Sequence, residues 1–467
     1  MSRINTNVSS LIAQRVFRGN QDKLNTSLER LSTGLKINSG KDDPAGLIAS
    51  ENLRAEKTGI SAAINNAQRA SNIIGTAEGG LNEVSSLLNE LQGLVGQAAN
   101  TGGLSSEEVA ANQLQVDSIL GSINRIAASN SFQGKKLLNG NLDYTVSSVT
   151  STAIDNLKVN AARLPDNATA SVVVQVVGSA QTAVVGYTGG AIAGATATIE
   201  VAGNAGTEQL SFASGTAVSS VVAAVNAVKA ATGVSATVSG SDIRFESTEF
   251  GSSQFVSVKA VAGTFSLATT KDTGVDAQVT VNGASAQADG RSISFRNSSL
   301  DVEFDLDATF NTPGTTTFGV TGGGATFALG AKVTETDKAS IGISSVSTGS
   351  LGDATTGFLS SLGSGGANAL TGTSLITAQR VIDTAIKQVA TLRGRLGAFQ
   401  KFTIGSTVNS LGVAFENASA AESAIRDTDF AEETSKLTRS QILQQASTTV
   451  LSQANSAPQS ALALLRG

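Results

Sequence analysis

Acidic and apolar residues alternate in the segment 300–307. Carboxylate oxygens are the ligands that Ca²⁺ prefers in proteins, so the acidic members are candidates for a calcium site. Alternate side chains of a strand point to one face, however, and groups lined up along one face do not surround an ion. The segment is therefore predicted to be a strand with one buried face and one solvated acidic face. The acidic residues are Asp301, Glu303, Asp305 and Asp307.

Three consecutive glycines at 322–324 form a second motif that could carry chemistry, because glycine-rich loops cradle phosphate groups. A phosphate loop also needs a lysine directly after the glycines and the start of a helix. The sequence continues instead with Ala325 and Thr326. We predict a turn at these glycines.

The chain contains no histidine and no cysteine. Their absence excludes Ser-His-Asp triads, histidine-based zinc sites, thiolate nucleophiles and disulfides. Chemistry based on carboxylates, serine or lysine remains open, but no motif for it stands out. We predict that the protein is not an enzyme and has no catalytic, cofactor-binding or metal-binding residues.

Charge and hydropathy exclude two further classes of partner. The net charge is −5 and charged residues make up 15% of the chain, which indicates neither nucleic-acid binding nor membrane binding. No apolar run approaches the roughly 18 residues that span a bilayer. Residues 1–20 lack a sustained apolar core, so no cleaved secretory signal is expected.

The chain divides into three blocks, which predicts an α+β fold. Residues 1–144 and 371–467 have helical periodicity, whereas 145–370 is rich in Val, Thr, Ser and Gly and carries the acidic surplus. The fold expected is a pair of discontinuous terminal helical domains with a β-rich central insertion. Within the centre, strands are predicted at 171–177, 197–201, 242–247, 277–283 and 300–306, and a helix at 218–231.

The clearest periodicity is a heptad pattern over residues 60–98, in which every seam position is apolar. Another heptad pattern starts at Ile382 and resumes, after a break near Thr403, at Ile404. Two such helices most simply pack on one another, which would bring the ends of the chain together. The large side chains of this predicted rod seam are Ile60, Ile74, Leu81, Val84, Leu88, Leu91, Val95, Ile382, Val389, Leu392 and Leu396.

Narrow apolar stripes mark both ends of the chain. Helices with such narrow stripes are marginal alone and need partners. The predicted assembly residues are Leu24, Leu28, Leu31 and Leu35 near the start, and Ile442, Leu443, Ala446, Val450, Leu464 and Leu465 near the end. A connecting segment is predicted at 37–46, where Asp42, Asp43, Pro44 and Gly46 interrupt the helical pattern. Residues 426–429 break the C-terminal helices.

Both ends of the chain resemble bacterial flagellins. At the start the carriers are Ile4-Asn5-Thr6-Asn7, the run from Leu28 to Asn38, and Asp42-Asp43-Pro44-Ala45-Gly46. At the end they are the run from Ser440 to Ala446, Gln453-Ala454-Asn455, Pro458-Gln459 and Leu464-Leu465-Arg466. Residues 196–262 also look like the strand-strand-helix-strand-strand insert of flagellins and hook-associated proteins.

The resemblance implies a layered subunit. Residues 1–36 and 430–467 would form an inner coiled coil, and 37–144 and 371–429 a helical rod. Residues 145–370 would be a surface-exposed variable region that contains the insert. The subunit would be exported unfolded without a cleaved signal peptide and would assemble outside the cell into the filament that drives swimming. Its partners would be other copies of itself, the export apparatus and export chaperone, the filament cap and the hook–filament junction proteins.

One stretch departs from many flagellins. The resemblance places arginines that an innate immune receptor recognises in the rod helix, but Glu90 and Gln92 stand there in this chain. Charge reversal at a buried interface is costly, so receptor binding is predicted to be weak or absent.

Two other functions stay open. A hook–filament junction protein shares the terminal helices and the insert, although the terminal motifs here favour a filament subunit. An extracellular adhesin would use its β-rich centre to bind glycans. Clustered aromatic residues would support that reading, but the phenylalanines of this chain are dispersed.

Overall fold

The computed structural model describes residues 6–100, 103–164, 169–192, 196–372 and 375–466, and of 457–466 it describes the backbone alone. Helical termini and a β-rich centre confirm the predicted α+β class. The chain forms two compact units. The first is drawn from residues 1–68, 328–337 and 405–467, and the second from 69–327 and 338–404. The boundaries of the three predicted blocks differ from those of these two units, so the division into blocks stays a prediction.

The helices occupy both ends of the chain and one short stretch of the centre. They are α1 (Val8–Thr33), α2 (Pro44–Ala98), α3 (Ser106–Ser129), α4 (Val218–Ala227), α5 (Lys229–Thr232), α6 (Leu375–Ala398), α7 (Ser406–Arg426) and α8 (Phe430–Arg466). A π-helical turn, Phe399–Gly405, joins α6 to α7.

Helix α2 buries the whole heptad pattern predicted for it. From Ile60 to Ala98, every seam residue is at most 3% exposed. Within the first unit, Lys57 Nζ of α2 lies 2.7 Å from Glu422 Oε2 of α7. Within the second, Gln92 Nε2 of α2 donates to Asp383 Oδ1 of α6 at 3.2 Å. The two predicted heptad helices therefore do run side by side.

The π-helical turn explains the break in the second heptad pattern. Buried Leu396 is followed by buried Ile404 after eight residues instead of seven. A π-turn accommodates one extra residue within a helix. The turn therefore keeps both residues on the buried side of the helix.

Deleting Lys401, an exposed residue of the π-helical turn, is expected to change the thermal unfolding temperature little, because the shortened turn can become α-helical with the seam still aligned. Deleting Lys387 inside α6 is the matched control. That deletion rotates the following seam by about 100°, and should lower the unfolding temperature by roughly 10 °C. Circular dichroism melts measure both, and equal losses would contradict the assignment.

The strands form the centre of the chain, in the second unit for the most part. They are β1 (Ser131–Phe132), β2 (Lys135–Lys136), β3 (Tyr144–Ser147), β4 (Ile154–Ala162), β5 (Ala170–Gly178), β6 (Val184–Tyr187), β7 (Ala197–Gly203), β8 (Thr207–Phe212), β9 (Val234–Ser239), β10 (Asp242–Ser247), β11 (Phe255–Ala262), β12 (Lys271–Thr273), β13 (Gln278–Val281), β14 (Ala284–Ser285), β15 (Gln287–Asp289), β16 (Ser292–Arg296), β17 (Leu300–Leu306), β18 (Gly314–Gly323), β19 (Ala325–Ala328), β20 (Lys338–Ile341), β21 (Gly352–Asp353) and β22 (Gly357–Phe358).

Two sheets share one apolar core. Their strand orders are β14–β13–β5–β18–β3 and β15–β16–β17–β4, and both contribute to the same buried cluster. The strand predicted over 300–306 is β17, which alternates between buried and half-buried residues as expected. Val302 of β17 lies opposite Phe295 of β16 and Val159 of β4, and all three are buried. Alternating apolar residues thus supply the inner face of this sandwich.

A smaller second core lies in the region of the predicted insert. Its sheets have the orders β12–β11–β7–β8 and β6–β10–β9. Helix α4 contributes Val221 and Val225 to the cluster that these sheets enclose. The order β7, β8, α4, β9, β10 matches the expected strand-strand-helix-strand-strand pattern, although a short α5 separates α4 from β9.

Two local predictions need correction. The connecting segment was expected to reach residue 46, but α2 already begins at Pro44. Proline suits the first helical turn because its fixed φ is helical and its missing N–H has no helical partner there. Asp43 Oδ1 accepts the N–H of Gly46 at 2.9 Å and caps this turn. The predicted glycine turn is confined to Gly324, which has a φ of 75°, because β18 extends to Gly323 and β19 begins at Ala325.

Asp155, on β4, lies next to Asp307 and Asp305. Partial desolvation and then these two carboxylates raise the pKa of Asp155. A raised folded-state pKa gives stability that is present at low pH and is lost as the pH rises through that pKa. The change Asp155→Asn should therefore raise the unfolding temperature at neutral pH, and the gain should vanish near pH 3.

Asp276 should respond in the opposite direction. Desolvation opposes its ionisation, but hydrogen bonds from Ser252 and from the Gly290 N–H hold its pKa below the usual value. Such a group stabilises the fold above its unfolded pKa and loses that effect as the pH falls. Asp276→Asn should lower the unfolding temperature at neutral pH and much less near pH 3. Melts that moved in the same direction for both variants would contradict the assignment.

Candidate assembly interface

Helices α1 and α8 lie side by side in the first unit and run in opposite directions. Asn7, just before α1, donates through Nδ2 to the carbonyl of Ala454 at 2.7 Å. Ser10 Oγ donates to Asn455 Oδ1 at 2.6 Å. The start of α1 therefore meets the later turns of α8.

Polar contacts continue along the pair. Asn20 Nδ2 donates to Ser447 Oγ at 2.6 Å and to the carbonyl of Leu443 at 3.3 Å. Towards the end of α1, Ser27 Oγ donates to Glu433 Oε1 at 2.7 Å, and Arg30 lies 3.8 Å from the same carboxylate. Glu433 is only 4% exposed, and Lys436 Nζ of its own helix also lies 3.6 Å from its carboxylate.

The residues buried between α1 and α8 are mostly polar, although they have coiled-coil spacing. On α8 they recur every seven residues, as the seam of a coiled coil does. Most coiled-coil seams are apolar, whereas polar residues outnumber apolar ones among the fully buried residues here. The larger apolar side chains Phe17, Leu31, Leu437 and Leu451 are only half-buried, so apolar burial contributes less to the pairing than in most coiled coils. The buried residues are Ser10, Ala13, Asn20, Leu24 and Ser27 on α1, and Glu433, Ser440 and Ser447 on α8.

The predicted apolar stripes do not form this seam. Leu24 lies in it, and Leu31 and Leu35 are half-buried. In contrast, Leu28 is 47% exposed. On α8, Ile442, Leu443, Ala446 and Val450 are exposed as well. The exposed members are therefore not buried within one subunit, and their role as assembly residues stays a prediction. The side chains of Leu464 and Leu465 lie outside the described part of the chain, as do Ile4 and Asn5.

Sequence reasoning missed a further apolar group on α1. Val8, Leu11, Ile12 and Val16 are between 47% and 58% exposed. Their spacing of three and four residues places them on one face and could have identified them. We call these four residues, together with Ile442, Leu443 and Val450 of α8, the outer apolar face.

The segments before α2 and after α7 pair with each other in the first unit. Leu35 and Asp427 form an isolated antiparallel bridge. Lys36 N donates to the carbonyl of Arg426 at 2.6 Å, and Thr428 N to that of Gly34 at 2.9 Å. These bonds hold the connection between α1 and α2 beside the connection between α7 and α8.

Aspartates order the turns of these connections. Asp42 accepts the N–H of Ser39 at 2.9 Å, and this backbone bond is the main cause of its lowered pKa. Asp429 Oδ1 accepts the N–H of Ala431 at 2.8 Å and that of Glu432 at 3.1 Å, which caps α8.

The residues of the predicted receptor patch lie on α2. Glu90 is exposed. Gln92 is half-buried because its amide donates to Asp383 of α6. The described residues contain no group of three or more acidic side chains that could hold a metal ion. No helix in the described part of the chain is long and apolar enough to cross a membrane.

Comparison with known proteins places both helical ends in one family. The bacterial flagellin N-terminal helical region matches residues 4–143, the bacterial flagellin C-terminal helical region 380–465, and the flagellin hook IN motif 198–249. Flagellin A of Vibrio cholerae is 32% identical, and the match covers 99% of each chain. Flagellin B of the same species is 31% identical over 99% of each chain.

A solved structure, FliC from Burkholderia pseudomallei, is 17% identical and covers 71% of this chain and 99% of its own, with a TM-score of 0.25. That superposition is too loose to support any argument about geometry.

The helical regions at both ends of the chain match those of a structural filament protein. The chain belongs to the bacterial flagellin family, whose members build the extracellular filament of the flagellum. It is a subunit of that filament.

Proposed function

We propose that this flagellin polymerises through the outer apolar face of α1 and α8. The observation that carries the proposal is the exposure of large apolar side chains on both helices, while polar residues occupy the contact between them. Soluble proteins rarely leave apolar residues clustered on one surface unless another molecule covers it. Since a filament contains many copies of one chain, the covering molecule is a neighbouring subunit.

Burial between subunits would supply the stability that the seam lacks. Complete burial of a Val, Leu or Ile side chain is worth about 1.5–3 kcal/mol. These side chains are already about half covered, so each stands to gain roughly half of that. Contacts that repeat along an open helical assembly then sum over neighbouring subunits.

The same weak seam suits passage through an export channel. Helices whose mutual contact is mostly polar are marginal on their own, so α1 and α8 can stay unfolded until neighbours cover them. We expect export without a cleaved signal peptide, folding outside the cell and no enzymatic activity. The expected helpers are the export apparatus, an export chaperone, the filament cap and the junction proteins.

Weak recognition by the innate immune receptor for flagellin remains a prediction. Glu90 is exposed where a positive charge is expected, and Gln92 already donates its amide to Asp383. A reporter-cell assay should show lower potency than an enteric flagellin, and Glu90→Arg with Gln92→Arg should raise it. Equal potency of the unsubstituted chain and the enteric protein would contradict the prediction.

Seeded growth tests the proposed function. Purified subunits are added to short filament fragments and followed by electron microscopy, alongside a truncation that lacks residues 430–467. Long filaments from the full chain and none from the truncation are expected.

The alternative function is that of a hook–filament junction protein. The hook IN motif matched at 198–249 is the observation that favours this alternative. A junction protein would add only short caps or rings to the seeds. Growth that stops after one such layer would favour it over a filament subunit.

A further inference from the structure

The polar seam between α1 and α8 leaves their alignment weakly determined by burial. Glu433, Ser440 and Ser447 recur every seven residues on α8, and the residues opposite them are mostly small or polar. If α1 slides along α8 by one heptad, the same faces of the two helices again lie against each other. Leu24 is the one large apolar side chain among the described residues of α1 and α8 that is fully buried, whereas Phe17, Leu31, Leu437 and Leu451 are half-buried. Apolar burial therefore separates the possible registers less sharply than it does in a fully apolar seam.

Asn20 distinguishes the registers. In the observed one, its buried amide donates to Ser447 Oγ and to the carbonyl of Leu443. A slide by one heptad towards the end of α8 would bring Asn20 opposite Ala454, whose methyl group cannot replace the Ser447 hydroxyl. The amide would keep at most a backbone acceptor, such as the Ala454 carbonyl that Asn7 uses in the observed register. Loss of a buried hydrogen bond is costly, and a single buried asparagine is known to fix register in coiled coils.

Glu433 distinguishes them at the other end of the pair. The same slide would move Glu433 opposite Gly34, beyond the last residue of α1, and away from Ser27 and Arg30. A slide by one heptad in the opposite direction would place the Ser440 hydroxyl opposite Asn20. It would also move Ser27 and Arg30 beyond the N-terminal end of α8, which begins at Phe430. In either case the buried carboxylate loses its partners on α1 and keeps only Lys436 of its own helix, whose Nζ lies 3.6 Å away.

We propose that the Asn20–Ser447 and Ser27–Glu433 contacts determine the register of α1 against α8. The inference rests on the proposed function, because register decides how the outer apolar residues of the two helices line up for a neighbouring subunit. A slide by one heptad would shift Val450 of α8 by about 10 Å along the helix axis relative to Leu11 and Ile12 of α1. The polar contacts of the seam thus determine the alignment of α1 against α8, and the outer apolar face provides the affinity for a neighbouring subunit.

Cysteine cross-linking can measure this register, because the chain has no cysteine of its own. Gln444 serves as the fixed position, since its amide donates to Gln21 at 2.5 Å in the observed register. Paired with Gln444→Cys, Gln21→Cys reports that register, while Gln14→Cys and Leu28→Cys report slides by one heptad in the two directions. Seeded filaments of each double-cysteine chain are oxidised, and the disulfides formed within one chain are identified on non-reducing gels.

The test variant is Asn20→Ala with Glu433→Ala, and the matched control is Asn25→Ala with Glu432→Ala, which changes exposed residues of the same types on the same helices. We expect the unsubstituted chain and the control to cross-link through Gln21. The test variant should shift a large share of cross-linking to Gln14 or Leu28. A test variant that assembles and still cross-links through Gln21 alone would overturn the proposal.

A second variant decides the matter where the test variant forms no filaments. Asn20→Ser with Ser447→Asn exchanges the two partners across the seam and keeps one amide and one hydroxyl there. Assembly with cross-linking through Gln21 supports the proposal, and failure of this exchange overturns it. If the unsubstituted chain itself did not grow on seeds, the proposed function would fail instead. Cross-linking of the isolated subunit in an osmolyte that favours compact states would then still determine the register.

Discussion

Replacing Leu11 and Ile12 by glutamine is expected to abolish growth on filament seeds at concentrations at which the unsubstituted chain grows readily. Both side chains are exposed on α1, at 58% and 49%, and belong to the outer apolar face. Loss of their burial against a neighbour would cost about 1.5–3 kcal/mol per subunit in total. Since 1.4 kcal/mol corresponds to a factor of ten, the critical concentration should rise roughly tenfold to a hundredfold. Sedimentation of polymer at several protein concentrations measures it.

The matched control makes the same chemical change elsewhere. Val173 and Val177 of β5 are also exposed apolar residues, at 39% and 53%, but lie in the central sandwich. Their replacement by glutamine should leave the critical concentration unchanged. Thermal unfolding of all subunits should be similar, because none of these side chains is buried. An equal effect of both double variants on growth would contradict a specific role for α1.

The change Leu88→Asp is expected to unfold a large part of the second unit. Leu88 lies at the centre of the heptad seam of α2 and is completely buried. Removing its side chain alone would cost about 2–5 kcal/mol, and an unpaired carboxylate in the same place adds a desolvation penalty. The unfolding temperature should fall by roughly 10 °C or more, as circular dichroism would record.

Asn89→Asp provides the control for charge and helix propensity. Asn89 is the next residue on α2 and is exposed. The new carboxylate there remains solvated, so the unfolding temperature should stay within a few degrees of the parent value. Comparable losses from the two variants would show that the seam does not stabilise the unit.

Periodicity and local chemistry predicted the helical framework well. The α2 seam is buried because its apolar residues follow the helix period without a gap. Ser105 and Glu108 have the spacing of a capping box and form one at the start of α3, with bonds of 3.3 and 2.8 Å. Even the slipped heptad near Thr403 was visible, although the sequence alone did not show that a π-helical turn absorbs it.

The contact between α1 and α8 could not be predicted in the same way. A heptad argument assigns apolar residues to the contact within one chain, whereas here Leu28, Ile442 and Val450 remain exposed. A subunit that assembles keeps such residues for its neighbours, and a single sequence does not distinguish the two kinds of burial. Small polar residues such as Ser440 carry too little periodic signal to identify a seam.

Long-range polar contacts were likewise invisible in the sequence. Arg395 of α6 donates to the side chain of Asn160 on β4 and to the carbonyl of Gly342 at 2.9 Å. Desolvation lowers the pKa of its guanidinium, which shows how far this side chain is withdrawn from water. Residues 235 positions apart in the chain meet there. Composition and local residue spacing do not predict a contact between residues so far apart in the chain.

Cryo-electron microscopy of filaments grown from the full-length chain tests the central claim most directly. We predict that Leu11, Ile12 and Ile442 are buried against neighbouring subunits, while Asn20 still meets Ser447 of its own chain. A filament in which these apolar side chains remain in solvent, or pack only within their own subunit, would contradict assembly through the outer apolar face.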